Sequence, residues 1–247
     1  MASLPYALQL YTVRDHMEKD PRGTLKKVKA AGYDFVEVAG TAGLSTEEFR
    51  AALEEAGLTP VSAHIGIEQV QKNVDGVISM CRTLGIKFAV VPWASAETKD
   101  KVLENARILD AAGAALRAAG IRLCYHNHAH EFAQFDGVYA LDLLYSSTSP
   151  QNLAAQLDTF WVAYGKADPV AVIKKYAQRC PLLHVKDMAP EGTKPIFANL
   201  GQGTMNWKPI FDAARAAGVE WYIVEQDECP GDSLESARIG ADFMRKQ

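Results

Sequence analysis

The sequence has few cysteines and no cysteine pair at the spacing of a metal site. Its four cysteines are far apart, and no CxxC motif occurs; they are Cys81, Cys124, Cys180 and Cys229. Three of them lie in or beside apolar segments. This placement favours reduced thiols that fill the core over a disulfide framework.

The sequence also lacks an excess of positive charge and any long apolar run. Its 247 residues include 26 Lys and Arg against 30 Asp and Glu, a formal net charge of −4, which argues against a nucleic-acid partner. No stretch approaches the roughly 18 to 20 consecutive apolar residues of a membrane span. The N-terminal MASLPYALQLYTV lacks the basic and apolar regions of a signal peptide. We therefore predict a soluble, cytoplasmic protein with no membrane contact.

What the sequence does contain is a repeated glycine between a helical stretch and a short apolar run. The repeat occurs at Gly32, Gly57, Gly85, Gly120 and Gly218. Glycine is favoured there because the residue after a helix often takes a left-handed conformation. Helix-forming composition precedes the glycines at 24–31, 46–56, 99–119 and 207–217. The runs after them are rich in Val, Ile, Phe and Tyr, as is typical of buried strands.

Further strand candidates at 6–11, 152–157 and 181–185 bring the number of βα units to eight. Alternating strands and helices predict a parallel sheet with right-handed crossovers, and eight units in about 250 residues fit a closed barrel. We predict one α/β domain over residues 1–247, a (β/α)8 TIM barrel with a parallel closed sheet and a last outer helix at 233–246. A doubly wound open sheet is the alternative. Residues 186–207 are predicted to be a long irregular connection, a type of loop that is often functional.

Polar residues follow the predicted strands at their carboxyl ends, where barrel enzymes place their active sites. In chain order they are Gln9, Glu37, His64, Trp93, the run HNHAHE at 126–131, Asp158, His184 with Lys186, and Glu225. The carboxylates of Glu131, Asp158 and Glu225, which follow strands five, six and eight, would repel each other unless a cation lay between them. We therefore predict one divalent metal ion, with Mn, Co, Fe, Mg and Zn all suited to carboxylate and imidazole ligands. Taken singly, Asp158 also suits a helix N-cap and His184 a hydrogen-bonded interior histidine.

These residues resemble the xylose isomerase-like TIM barrels of the sugar phosphate isomerase/epimerase family, in the AP endonuclease 2 superfamily. The resemblance covers essentially the whole chain and rests on VSAH, LGIKFAVVPW, YHNHAHEF, the stretch from QLDTFW to LLHVKD, LGQGTMNW and VEQDE. It implies that Asp158, His184 and Glu225 bind the metal, with a strand-five carboxylate as fourth ligand. Epimerases of this family place a glutamate about where His126 stands. The fourth ligand is therefore Glu131 or, alternatively, His126.

The resemblance implies removal of a proton beside a carbonyl and formation of an enediolate, with the metal stabilising the charge. On a strand His126 and His128 share a face, so either one can transfer a proton or orient a ligand carboxylate. Lys186, two residues after His184, is expected to face inward and stabilise the enediolate. The predicted catalytic residues are His126, His128, Lys186 and Glu225. The residues predicted to line the sugar pocket are Gln9, Glu37, His64 and Trp93.

The predicted function is a metal-dependent isomerase or epimerase of a keto sugar or a polyol-derived carbohydrate. The alternative is a lyase of the inosose dehydratase or 3-keto-glycoside eliminase type, which uses the same enolate chemistry. A metal-containing sugar-binding protein without turnover is a third class. A phosphodiesterase of the endonuclease IV type is disfavoured, because the chain has only six histidines and a negative net charge. A homo-oligomer that packs through outer helices is expected only because such barrels often associate in this way.

Overall fold

The structure is a computed structural model that describes residues 4–194 and 196–247; residues 1–3 and 195 of the predicted domain lie outside the described residues. Eight parallel strands form a closed barrel in which β1 pairs with both β2 and β8. The strands are β1 (Tyr6–Gln9), β2 (Phe35–Val38), β3 (Thr59–His64), β4 (Phe88–Val91), β5 (Arg122–His126), β6 (Leu153–Asp158), β7 (Leu182–Val185) and β8 (Trp221–Val224). The predicted TIM barrel is confirmed, and the open-sheet alternative is wrong.

Helices surround the barrel. They are α1 (Arg14–Met17), α2 (Pro21–Ala30), α3 (Thr46–Ala56), α4 (Ile67–Lys72), α5 (Val74–Leu84), α6 (Lys99–Ala118), α7 (Ala140–Ser146), α8 (Thr159–Tyr164), α9 (Pro169–Lys175), α10 (Trp207–Ala217) and α11 (Ser233–Met244). Within the described ranges, no helix is both long and apolar enough to cross a membrane.

The repeated glycine marks helix ends, as the sequence predicts. Helices α3 and α5 end at Gly57 and Gly85, whose φ angles are 70° and 73°. Both angles lie in the left-handed region, which a residue with a Cβ enters only at a cost. At its other end α3 begins with a capping box in which Ser45 and Glu48 each satisfy a backbone N–H of the other. Local sequence signals therefore set both ends of this helix.

Two strands end earlier than the sequence predicts. Strand β1 stops at Gln9, because Leu10–Val13 winds into a 3₁₀ turn whose Tyr11 N–H donates to the Gln9 side chain. Strand β5 stops at His126, so the rest of the histidine run lies in the following loop and in a 3₁₀ turn at His130–Phe132. The predicted irregular connection after β7 contains a short antiparallel hairpin, formed by Asp187–Met188 and Phe197–Ala198.

The barrel interior is apolar at the bottom and polar at the top. Two small apolar clusters fill its lower part; they are Phe88, Val90, Cys124, Ala154 and Leu182, and Ala7, Val61 and Ile223. Since side chains two residues apart on a strand share a face, the next inward position above Cys124 is His126 and above Leu182 is His184. The same step of two leads from Ile223 to Glu225. The strands thus deliver polar groups to one layer at their carboxyl ends.

Candidate active site

A cavity of about 390 Å³ opens at the carboxyl ends of the strands, within the size range of small-molecule sites. It is lined by Tyr11, Ala39, His64, Pro92, Trp93, His126, His128, Lys186, Glu225 and Asp227. A larger groove of about 720 Å³ lies on the outside of the barrel, beside α7 and the end of α9. We place the candidate site in the smaller cavity, because the polar layer of the barrel faces it.

Four buried side chains at the floor of this cavity form a candidate metal centre. They are His126, Asp158, His184 and Glu225, which offer one donor atom each, all within 4.8 Å of one another. Nδ1 of His184 lies 2.9 Å from Oε2 of Glu225 and 4.0 Å from Oδ2 of Asp158. That Asp158 oxygen is buried and forms an ion pair with Nζ of Lys186 at 3.0 Å, although the geometry is not that of a hydrogen bond. Two imidazole nitrogens and two carboxylate oxygens fit zinc and also manganese, iron or cobalt.

Asp158 serves two purposes. Its Oδ1 accepts a hydrogen bond of 3.0 Å from the backbone N–H of Trp161 and caps α8, while its Oδ2 faces Nε2 of His126 at 3.6 Å. The cap and the ligand roles considered for this residue are therefore compatible, since each uses a different oxygen.

Glu131 lies elsewhere, in the 3₁₀ turn after β5. Its Oε1 accepts a hydrogen bond of 2.6 Å from the Tyr125 hydroxyl, and its Oε2 accepts one of 2.8 Å from the backbone N–H of His128. Burial raises the pKa of this carboxyl. Of the two alternatives for the fourth ligand, the structure brings His126 and not Glu131 into the cluster. Glu131 instead braces the turn that carries His128.

Lys186 contributes a buried positive charge to the same place. Its Nζ lies 2.6 Å from Oε2 of Glu225, 3.0 Å from Oδ2 of Asp158 and 3.0 Å from Oδ2 of Asp227. Burial by itself lowers the pKa of this amine, but the carboxylates outweigh burial and raise it well above the ordinary value. Burial and the nearby Glu225 raise the pKa of Asp227 to about 6. The Lys186 side chain thus faces inward, as the sequence predicts.

His184 is held between two carboxylates. Its Nε2 lies 2.7 Å from Oε1 of Glu37, on the side opposite to Glu225. Burial lowers the pKa of this imidazole, but Glu37 and Glu225 raise it to about 9. Burial by itself raises the pKa of Glu37. The charges of His64 and His184 outweigh burial, so the pKa of this carboxyl lies well below its usual range. A metal at Nδ1 of His184 takes the place of a proton there.

His128 lies in the loop after β5, with its ring next to that of His126. It lines the cavity, and its Nδ1 is buried without a hydrogen-bond partner among the residues described. Burial and then the charge of Lys186 lower its pKa to about 3. Burial, followed by His184, also lowers the pKa of His126 well below the usual value. Both rings are therefore neutral near pH 7, and a neutral imidazole can accept a proton.

The four residues predicted to line the pocket fall into two groups. His64 and the half-exposed Trp93 are on the cavity wall. Gln9 and Glu37 are fully buried one level lower, where Nε2 of Gln9 donates to Oε1 of Glu37 at 2.7 Å. The structure does not place these two on the wall, because Glu37 contacts His184 from beneath and Gln9 contacts Glu37.

Asp187 is a residue of this region whose role the sequence analysis missed. Its carboxylate accepts hydrogen bonds from the backbone N–H groups of Gly201 and Gly203, at 2.8 and 3.2 Å. A Cβ on Gly203 would lie 2.3 Å from Oδ1 of Asp187, so only glycine fits. Gly201 and Gly203 thus hold the loop against Asp187 and do not face the cavity. A carboxylate two residues after a buried strand, with two glycines later in the same loop, was the available signal.

Two further residues were also missed. Gln156 is fully buried in β6 and contacts both His126 and Glu37; an amide inside the apolar run LAAQLD was its signal. Asp227 completes the surroundings of Lys186, and its backbone oxygen accepts a 2.7 Å hydrogen bond from Arg14.

A family model described as the xylose isomerase-like TIM barrel matches residues 25–247. The chain belongs to the xylose isomerase-like TIM barrel family. It is thus a member of a family of sugar-processing enzymes, which confirms the resemblance seen in the sequence.

Similar proteins agree with this assignment. A sugar phosphate isomerase/epimerase from Parabacteroides distasonis superposes with a TM-score of 0.85 at 26% identity, covering 99% of this chain and 98% of that one. The IOLI protein, whose structure holds a zinc atom, has a TM-score of 0.76 at 15% identity and covers 98% and 96% of the two chains, a likeness of fold alone. An inosose dehydratase from Geobacillus thermodenitrificans is 26% identical over 145 residues. That match covers 51% of this chain and 48% of the relative, about half of each.

Proposed function

We propose that this protein is a divalent-metal-dependent isomerase or epimerase of a keto sugar or a polyol-derived carbohydrate. The observation that carries the proposal is the cluster of His126, Asp158, His184 and Glu225 at the floor of a cavity that also exposes His128 and Lys186. This arrangement offers a cation site, a neutral proton acceptor and a fixed positive charge within one small-molecule pocket. Metal-assisted proton removal beside a carbonyl can use all three of these elements.

The four clustered side chains are the proposed ligands. A divalent ion bound there supplies Lewis-acid stabilisation of the negative charge that develops on a substrate carbonyl oxygen. The proposed substrate is a small carbohydrate that carries this carbonyl. The apolar face of a sugar ring matches the half-exposed indole of Trp93 on the cavity wall.

His128 is the proposed acid/base. Its ring lines the cavity and its Nδ1 has no partner in the described chain, so the ring is available to take a proton from a substrate carbon and to return it. The ammonium of Lys186, already charged and 1% exposed, would favour the enediolate by its charge. Return of the proton by His128 to the neighbouring carbon gives isomerisation, whereas epimerisation requires a second group or solvent to deliver a proton to the opposite face of the enediolate.

The second candidate is a dehydratase. The similarity to inosose dehydratases supports it, and so does the histidine at the β5 position where epimerases place a glutamate. The first step is the same proton removal, after which a hydroxyl group on the neighbouring carbon leaves as water. The two candidates therefore differ in their products and share their machinery.

Solvent deuterium exchange tests the proposal. The protein is loaded with Mn²⁺ or Zn²⁺ and incubated in D₂O with keto sugars and keto-inositols, and ¹H NMR follows the loss of the C–H signal. We expect exchange in at least one substrate, slowed about 10²- to 10⁴-fold by His128→Ala. The control is His16→Ala, whose ring pairs with Asp232 away from the cavity. A new sugar identifies an isomerase or epimerase, and loss of water identifies a dehydratase. Sugar binding without exchange in the metal-loaded protein contradicts both.

A further inference from the structure

Each imidazole of the candidate metal centre is held from beneath by a polar group of the barrel interior. Nε2 of His184 lies 2.7 Å from Oε1 of Glu37. Nδ1 of His126 lies 3.0 Å from Oε1 of Gln156. Gln156 is in turn bound to Glu37, because its Nε2 lies 2.6 Å from Oε2 of that carboxylate. One buried carboxylate is thus connected to both histidines.

The chemistry of these groups fixes the direction of every hydrogen bond. An ionised carboxylate only accepts, so each of its neighbours must donate. His184 therefore carries a hydrogen on Nε2, and Gln156 turns its NH₂ group toward Glu37. The carbonyl oxygen of Gln156 then faces His126, and an amide oxygen accepts only. His126 must carry its hydrogen on Nδ1.

We propose that Glu37 is a positioning residue that holds a hydrogen on Nε2 of His184 directly and on Nδ1 of His126 through Gln156. Nε2 of His126 is left as a lone pair that faces Asp158 at 3.6 Å. Nδ1 of His184 lies 2.9 Å from Oε2 of Glu225, so it also carries a hydrogen until a metal ion displaces it. The consequence for metal binding rests on the proposed function; the tautomers themselves do not.

The surroundings of Glu37 make it suited to this role. Besides Gln156 and His184, three side chains contact its oxygens: Gln9 at 2.7 Å, Ser62 at 2.6 Å and His64 at 3.0 Å. Five contacts from four strands of the barrel leave the carboxylate little freedom to rotate. A group so fixed transmits its orientation to its neighbours.

The network also accounts for the histidine at the end of β5. A glutamate at that position needs no tautomer to be chosen, whereas a histidine binds a metal only through an unprotonated nitrogen. The acceptor that fixes the proton of His126 is the neighbouring β6 residue, since His126 and Gln156 are register partners in the sheet. We infer that His126 and Gln156 act as a pair.

NMR of ¹⁵N-histidine-labelled, metal-free protein tests the inference. Long-range ¹H–¹⁵N correlations distinguish the two tautomers, and single His→Asn variants assign the rings. In the wild type we expect a hydrogen on Nδ1 alone for His126 and on both ring nitrogens for His184, which lies between two carboxylates. Gln156→Met should release the His126 ring to the other tautomer and weaken Zn²⁺ binding about 10- to 100-fold. Ser62→Ala is the control, because Ser62 contacts Glu37 and neither of these two histidines, and should leave both tautomers unchanged.

The outcomes separate this inference from the proposed function. A wild-type spectrum with the His126 proton on Nε2 overturns the inference, whether or not any variant folds. Unchanged tautomer and Zn²⁺ affinity in a folded Gln156→Met overturn it as well. If both tautomers are as expected but Zn²⁺ and Mn²⁺ do not bind, the positioning role stands and the metal-dependent function fails.

Discussion

The indole Nε1–H of Trp207 donates a hydrogen bond of 3.0 Å to Oδ2 of Asp187, and so connects the start of α10 to the end of β7. The same carboxylate accepts from the backbone N–H groups of Met188 and Met205 as well as from the two glycines of the loop. Asp187 is therefore the centre around which residues 187–194 and 196–207 fold.

Replacing Asp187 with Asn is expected to destabilise the protein by about 2 kcal/mol, because one oxygen becomes an NH₂ group that faces buried donors. Urea unfolding measures the loss, and limited proteolysis should show cleavage between residues 188 and 206. The matched control is Asp212→Asn on the exposed side of α10, which should cost less than about 0.5 kcal/mol. An equal cost for the two variants contradicts the central role of Asp187.

Replacing Lys186 with Met should destabilise the metal-free protein by about 3 to 5 kcal/mol, because the buried carboxylates of Asp158 and Glu225 and the partly exposed Asp227 lose their common cation. A divalent ion at the candidate centre restores positive charge next to Asp158 and Glu225. We therefore expect Mn²⁺ or Zn²⁺ to raise the melting temperature of the variant more than that of the wild type. Differential scanning fluorimetry with and without metal measures both shifts, and equal shifts would argue against a shared site.

Metal content should distinguish the two candidates for the fourth metal ligand, His126 and Glu131. His126→Ala removes a group of the cluster and should lose most of the bound metal, whereas Glu131→Gln should keep it. The second variant should instead lose about 1 to 3 kcal/mol of stability, because its NH₂ group meets the donor groups of Tyr125 and His128. Elemental mass spectrometry and urea unfolding provide the two readouts. Loss of metal from Glu131→Gln with retention in His126→Ala reverses the assignment.

Burial raises the pKa of the Cys81 thiol to about 12, so this group remains protonated in the folded protein when it ionises in the unfolded chain. Ionisation of the thiol stabilises the unfolded state as the pH rises above the ordinary thiol pKa. The free energy of unfolding therefore decreases. Between pH 8 and pH 10 the stability of wild type relative to Cys81→Ala should fall by about 1.5 kcal/mol. Urea unfolding of both proteins at the two pH values measures the difference. A constant difference contradicts the pKa shift.

The barrel could be predicted from the sequence because its units repeat. Each glycine after a helix, such as Gly57, is a local signal, and eight βα units fit only a few folds. Residues at the strand ends, such as Asp158 and His184, were also predictable, since the carboxyl ends of barrel strands meet on one face. The barrel topology brings these residues together, so their proximity can be predicted without the conformations of the loops.

The layer beneath the site could not be predicted in the same way. The pairing of β2 with β3 shifts register between Val36 and Glu37, and such a shift has no signal in the run FVEV. It places Glu37 opposite Ser62, whose hydroxyl donates a 2.6 Å hydrogen bond to the carboxylate that contacts His184. The position of Glu131 was missed for a related reason. Strand β5 ends at His126, and the turn that follows points Glu131 toward Tyr125.

Closure of the barrel by the pairing of β1 with β8 has a consequence for biosynthesis. Glu225 follows the last strand, so the cluster stays incomplete until that strand has joined both β1 and β7. A chain still emerging from the ribosome would therefore hold Asp158 and His184 without their final carboxylate. A ligand that needs all four groups would bind only the closed barrel, and its binding free energy would oppose the reopening of that seam.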